Sequence, residues 1–202
     1  FTFIAITLIA GLIIIFTPTT RENLRGDTPV VESRVTSLNN YIIDLQNSYF
    51  ENILRVSSHN AILAMLSYIE TNNDFLSDAQ SSFSEAILQG TVNGQQISIM
   101  DGNTLDVWLE RMENVSQDTL NVNSQFTVNN VEISQIRPFF VYLKLNISFR
   151  VDSETSSWNI RDHIVSTELD IQNFNDPAYI VNTNGAYKNK FNKSNVVFDQ
   201  WD

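Results

Sequence analysis

The sequence predicts an α+β fold: an N-terminal apolar assembly helix, then a head of long amphipathic helices followed by an antiparallel β-meander. Three observations carry this. Phe1 to Phe16 is an uncharged apolar run, Val31 to Val56 repeats apolar residues at steps of three and four, and Phe139 to Val151 alternates strictly. They divide the chain into a core helix over residues 1–17, a hinge over 18–28, and a head over 29–202. The head is expected to be mainly helical over 29–120 and mainly antiparallel β over 121–202.

The first sixteen residues, FTFIAITLIAGLIIIF, lack charge and are broken only by Thr2, Thr7 and Gly11. As a helix they extend roughly 24 Å, a little short of the ~20 residues that span a hydrocarbon core. No basic segment precedes the run and no small-residue cleavage site follows it, so it does not read as an ordinary secretory signal. The polar segment after it holds Pro18, Gly26 and Pro29 among Arg21, Glu22, Arg25 and Asp27, and reads as a hinge.

Thr28-Pro29 supplies an N-cap and a first-turn proline for a long helix. Its stripe is expected through Val31, Val35, Leu38, Ile42, Leu45, Tyr49, Ile53 and Val56, either as a core face or as a coiled-coil seam. Ser57-Ser58-His59-Asn60 should weaken that helix before Ala61 to Ile69 resumes it. Asn73 or Asp74 is read as the cap of a second helix through Phe75, Leu76, Ala79, Phe83, Ile87 and Leu88, stopped by Gly90. After a strand-like piece at Gln96 to Met100, a third helix is expected to place Leu105, Trp108, Leu109, Met112 and Val115 on one side.

Then the period changes to two. Phe139, Val141, Leu143, Leu145, Ile147, Phe149 and Val151 share one face of the clearest strand. Its neighbours are Phe126 to Ile136, whose parity slips at Asn129-Asn130, and Trp158 to Ile171, whose parity slips near His163; both slips predict bulges or turns. Asn184-Gly185 suggests a hairpin between Tyr179-Ile180-Val181 and Tyr187 to Phe191. The tail with Val196, Val197, Phe198 and Trp201 is expected to dock on the head.

Composition excludes several function classes. Twelve Lys and Arg stand against 23 Asp and Glu, giving a net charge of −11, which disfavours nucleic acid as a partner. The absence of cysteine removes disulfides and thiolate chemistry. His59 and His163 lack metal-ligand spacing, and the sequence has neither a phosphate loop nor a nucleophile elbow. Asp101, Asn103 and Asp106 fall short of a calcium loop for want of a distal glutamate. The expectation is a non-enzyme with no catalytic residue, no metal and no cofactor.

Phe1-Thr2-x-Ile4, followed by aliphatics with Gly11, resembles mature type IV pilins, in particular archaeal-type pilins, over about the first twenty residues. Where many bacterial pilins carry an acidic residue, this sequence has Ala5, which favours an archaeal type held by apolar packing. The resemblance implies removal of a class III leader just before Phe1 and storage in the membrane. It then implies assembly into an extracellular, cell-surface helical homopolymer. The partners implied are identical subunits, the leader peptidase and the pilus assembly machinery. Phe1, Phe3, Ile4, Leu8, Leu12, Ile13 and Phe16 would form the assembly surface. The sequons beginning at Asn114, Asn146 and Asn192 are glycosylation candidates, in keeping with the glycosylated surfaces of archaeal pilins. The alternatives are a single-pass, membrane-anchored extracellular sensory or ligand-binding module, and a low-copy tip or adhesin subunit of the same machinery.

Overall fold

The computed structural model describes residues 32–154 and 156–193, and the chain divides into two compact units between Leu45 and Gln46. The expected core helix and the hinge with Pro18, Gly26 and Pro29 lie outside the described residues. So does the tail beyond Lys193.

In the first unit, residues 32–44 form helix α1. The Ser37 hydroxyl donates to the Ser33 carbonyl one turn back at 3.0 Å.

A π-helical turn, Leu45–Tyr49, precedes α2, Phe50–Asn72. The wider turn takes up an additional residue and moves the apolar stripe by one position. Tyr49 and Val56, expected on the inner face, are exposed, and Phe50, Leu54, Ala61, Met65 and Ile69 are buried instead. Nor does the helix weaken at Ser57-Ser58. Both serines are completely buried in an unbroken helix.

The second helix begins later than the sequence suggests. Asn73 takes a left-handed conformation and ends α2 through a bond from its N–H to the Ile69 carbonyl. The N-cap of α3, Ala79–Gln89, is Asp78, whose carboxylate accepts from the Gln80 and Ser81 N–H groups. Phe75 therefore lies outside the helix and half exposed. Gly90, with φ +76°, terminates α3 as expected.

The strand-like piece is a small hairpin, β1 at Thr91–Val92 and β2 at Gln95–Gln96, turned at Asn93-Gly94 with both residues at positive φ. A short 3₁₀ turn, Ser98–Met100, leads to α4, Leu105–Leu120, capped by the Thr104 hydroxyl. Leu105 and Leu109 are buried, but Val115 is exposed and Ser116 takes the inner position.

The meander is present: β3 at Asn123–Arg137, β4 at Phe140–Asp152 and β5 at Ser157–Asp170, antiparallel in the order β3-β4-β5. Both expected slips are there. One register shift falls between Val128 and Asn130, and the other lies opposite Ser148, where Asp162 has φ +52°. The odd residues of β4 from Val141 to Val151 are buried and the even ones are not. Their side packs on α2, where Phe50 meets Phe126 and Phe149 edge-on at 5.7 and 5.2 Å.

The expected C-terminal hairpin is a helix, α5, Pro177–Asn182, so Tyr179 to Val181 do not form a strand. Asp176 caps it and Pro177 sits at its start, a pairing that outweighs the Asn-Gly signal. Asn184 and Gly185, both at positive φ, close the helix end through a bond from the Gly185 N–H to the Ile180 carbonyl at 2.8 Å. Residues 173–176 then pair with 189–191 through the Asn173, Asp176 and Phe191 N–H groups.

Candidate assembly and modification sites

The expected assembly surface, Phe1, Phe3, Ile4, Leu8, Leu12, Ile13 and Phe16, falls outside the described residues. Among the described residues, no helix is long and apolar enough to cross a membrane, and no group of three His, Asp or Glu side chains is placed to hold a metal ion.

The three sequons occupy different settings. Asn114 is exposed on α4, but the hydroxyl of its partner Ser116 is buried and its one proton is shared between the Glu113 carbonyl at 2.8 Å and the Val122 carbonyl at 3.2 Å. Asn192 is exposed near the end of the described chain. Asn146 stands half-buried on the outer face of β4, the central strand, at the centre of a polar cluster. Asn129, at the β3 bulge, shares the two N–H donors of Nδ2 among Asn146 Oδ1 at 3.1 Å, Ser148 Oγ at 2.8 Å and Asp162 Oδ1 at 3.2 Å. Asn146 Nδ2 in turn points to Asp162 Oδ1 at 3.4 Å. The two bulges thus bring two side chains, Asn129 and Asp162, onto the sequon Asn146-Ile147-Ser148, which strand alternation alone would have kept apart.

The free edge of β3 is closed by side chains. Gln80 on α3 behaves as a fragment of a fourth strand: its Nε2 donates to the Val131 carbonyl and its Oε1 accepts from the Ile133 N–H, both at 2.8 Å. Further along the same edge, Glu113 on α4 accepts from the Phe126 N–H at 3.1 Å. A strand edge occupied in this way is protected from unspecific pairing.

A groove of about 510 Å³ lies between α2 and the segment after β5. Leu63, Leu66, Ile99 and Phe174 contribute its apolar lining, and His59, Glu70 and Lys190 stand around it. The His59 ring meets the Phe174 ring edge-on at 5.1 Å. Glu70 accepts from Lys188 Nζ at 2.8 Å and Asn175 Nδ2 at 2.6 Å. Burial pushes its pKa upward, but these two donors outweigh that and hold it below the usual value. Glu85 follows the same logic: burial is opposed by Thr91 Oγ1 and the Gly94 and Asn93 N–H groups, which leave its pKa lowered and fasten the small hairpin to α3. Asp106, in the first turn of α4, has no such donors, and burial raises it. Neither the groove nor the bonds of Gln80 to β3 are legible in the sequence, because each joins residues more than 50 positions apart; the Glu113–Phe126 bond spans 13 positions but crosses from a helix to a strand.

Compared with protein-family models, curated proteins and solved structures, the chain matches none.

Proposed function

We propose that the chain is a structural subunit of an extracellular type IV pilus-like filament of the archaeal type, with no catalytic role. The observation that carries this reading is the uncharged sequence of residues 1–16, set before a Pro- and Gly-punctuated polar segment. If these segments bundle as helices along a filament axis, each buries on the order of 1,000 Å² of apolar surface. That corresponds to roughly 25 kcal/mol gross at ~25 cal/mol per Å². Such burial holds a polymer together without covalent links, and the Cys-free chain offers no disulfide for the purpose. Before assembly the same segment stores the subunit in the membrane.

Phe1, Phe3, Ile4, Leu8, Leu12, Ile13 and Phe16 are then the functional surface, and Pro18, Gly26 and Pro29 let the head take its lattice position. Ile4→Asp or Leu12→Asp abolishes polymerisation while the head stays folded, because a buried, unpaired carboxylate costs several kcal/mol and recurs in every subunit. Normal filaments from either variant, seen by electron microscopy, would remove the core-bundle reading. Asn146 is proposed to carry a glycan on the outer sheet face; an unmodified mass for its peptide in native material contradicts that.

A membrane-anchored ligand-binding module is the second reading, and the groove between α2 and residues 172–190 is the observation that favours it. It would leave the protein in the membrane fraction as single copies or dimers.

A further inference from the structure

We infer that the fold sorts its three sequons by time: Asn146 and Asn114 accept sugar only before the head folds, and Asn192 accepts it afterwards as well. This deepens the glycan proposed above for Asn146 and rests on that reading. A sequon is read at two points, the Asn amide that receives the sugar and the Ser or Thr hydroxyl two residues on. The reaction joins the anomeric carbon of a lipid-phosphate-linked sugar to Asn Nδ2. The sugar's C–O bond to phosphate breaks, the phosphate leaves with the bonding electrons, and the amide gives up one proton to a base of the transferase. The transferase therefore has to hold the whole tripeptide in its own cleft, which is why sequons ordinarily lie in surface loops.

Asn146-Ile147-Ser148 is not in a loop. It occupies the middle of β4, where Asn146 pairs with Asn130 on one side and Ile164 on the other, and Ile147 with Val128 and His163. The Ile147 side chain is completely buried, as is that of Leu145 before it. Lifting the tripeptide out means parting β4 from both neighbours and exposing that core. Strands of a core open only at free energies near that of global unfolding. Both recognition points are also occupied. Ser148 Oγ accepts from Asn129 Nδ2 at 2.8 Å and from the Asp162 N–H at 3.2 Å, and Asn146 Nδ2 faces Asp162 Oδ1 at 3.4 Å. The product meets no such obstacle. Asn146 is only half-buried on the outer sheet face, and a substituted amide keeps its carbonyl and one N–H. The folded sheet thus accommodates the sugar once attached, yet closes the sequon to its attachment.

Asn114 is closed by a different contact. Its own side chain is exposed, but Ser116 is buried with its hydroxyl engaged at the Glu113 and Val122 carbonyls. Reaching that hydroxyl requires unwinding the end of α4. Asn192 is held by neither device: it is exposed, lies outside any helix or strand, and follows the bond from the Phe191 N–H to the Phe174 carbonyl. The order of the chain sets how long the window at Asn146 lasts. β5 is the last of the three strands, so the sequon stays open until residues 157–170 have joined the sheet.

The test uses the unglycosylated full chain, purified folded in detergent, with the oligosaccharyltransferase of the native host and its lipid-linked sugar. Mass spectrometry reads each site. The folded chain should gain sugar at Asn192. Transfer to Asn146 and Asn114 should stay at least about tenfold below transfer to free peptides spanning 140–152 and 108–120, because opened forms are a small minority of the native population. Phe50→Ala, which loosens the sheet, should raise transfer to Asn146 whether or not that variant folds. Asn129→Ala takes one donor from Ser148 but leaves the strands paired, and Asn146 should remain closed in it. Equal transfer to Asn146 in the folded chain and in its peptide would overturn the inference, as would opening by Asn129→Ala alone. So would a folded chain that accepts sugar at Asn114 as readily as the peptide does, or one that refuses it at Asn192 while the peptides accept. If the 140–152 peptide is refused and native protein carries no sugar at Asn146, the glycan reading itself is removed, and the inference with it.

Discussion

At the scale of single residues, the head is held by a few side chains that finish what the backbone leaves open. Gln80 is the clearest. Removing its amide in Gln80→Ala leaves the Ile133 N–H without its acceptor and the Val131 carbonyl with only the longer bond from Ser84 at 3.3 Å. A loss of about 1–3 kcal/mol follows, and chemical denaturation of the purified head should show it. An unchanged midpoint would mean that the edge of β3 needs no closure. The carboxylates set the pH response. Glu70, Asp78, Glu85 and Asp152 all have lowered pKa values in the fold. A lowered carboxylate contributes stability above its unfolded pKa and loses it as pH falls through its folded one. Asp106, raised by burial, acts in the opposite sense: as an ion it costs stability, and acidification relieves the cost. Four groups against one predict a melting temperature that falls on acidification below pH about 4. Glu70→Gln with Glu85→Gln should flatten that fall, and a profile as steep as that of the unsubstituted protein would contradict the assignment.

At the scale of elements, the packing turns on α2 against the inner face of β4. Phe50 is completely buried between Phe126 and Phe149, so Phe50→Ala should cost about 3–5 kcal/mol. Tyr49→Ala, one residue earlier and exposed, should cost far less. Equal losses, measured by thermal melting, would restore the stripe expected from the sequence. That pair of residues also shows why part of the fold was legible and part was not. The alternation of β4 and the parity slips at Asn129 and near His163 survive intact, because a strand with one buried face records its register in every second residue. The π turn leaves no such record. Apolar residues at 49, 50, 53, 54 and 56 fit two neighbouring stripes, and only the turn chooses between them. Asp176-Pro177 and Asn184-Gly185 are likewise both genuine punctuation. The first starts a helix and the second ends it, where the sequence alone predicts a hairpin turn at the second. Asp78, rather than Asn73 or Asp74, caps α3 because Asn73 is already spent in ending α2.

At the scale of the whole molecule, the mixed α+β architecture was legible and the surfaces that matter to function were only partly so. The sequons can be found by inspection, but the polar cluster around Asn146 depends on two bulges, and the groove beside Phe174 depends on a segment more than a hundred residues from α2. The proposed assembly segment is the reverse case, resting entirely on the sequence. In the proposed filament, residues 1–16 of many copies form the axis and the acidic heads the outside. Electron cryomicroscopy of material sheared from cells expressing the protein at native level tests this most directly. Helical filaments are expected whose central density fits residues 1–16 as bundled helices, with the three-stranded sheet and α2–α4 resolved in the outer layer. Protein that stays with the membrane as single copies or dimers, with no filament in the sheared fraction, would contradict it.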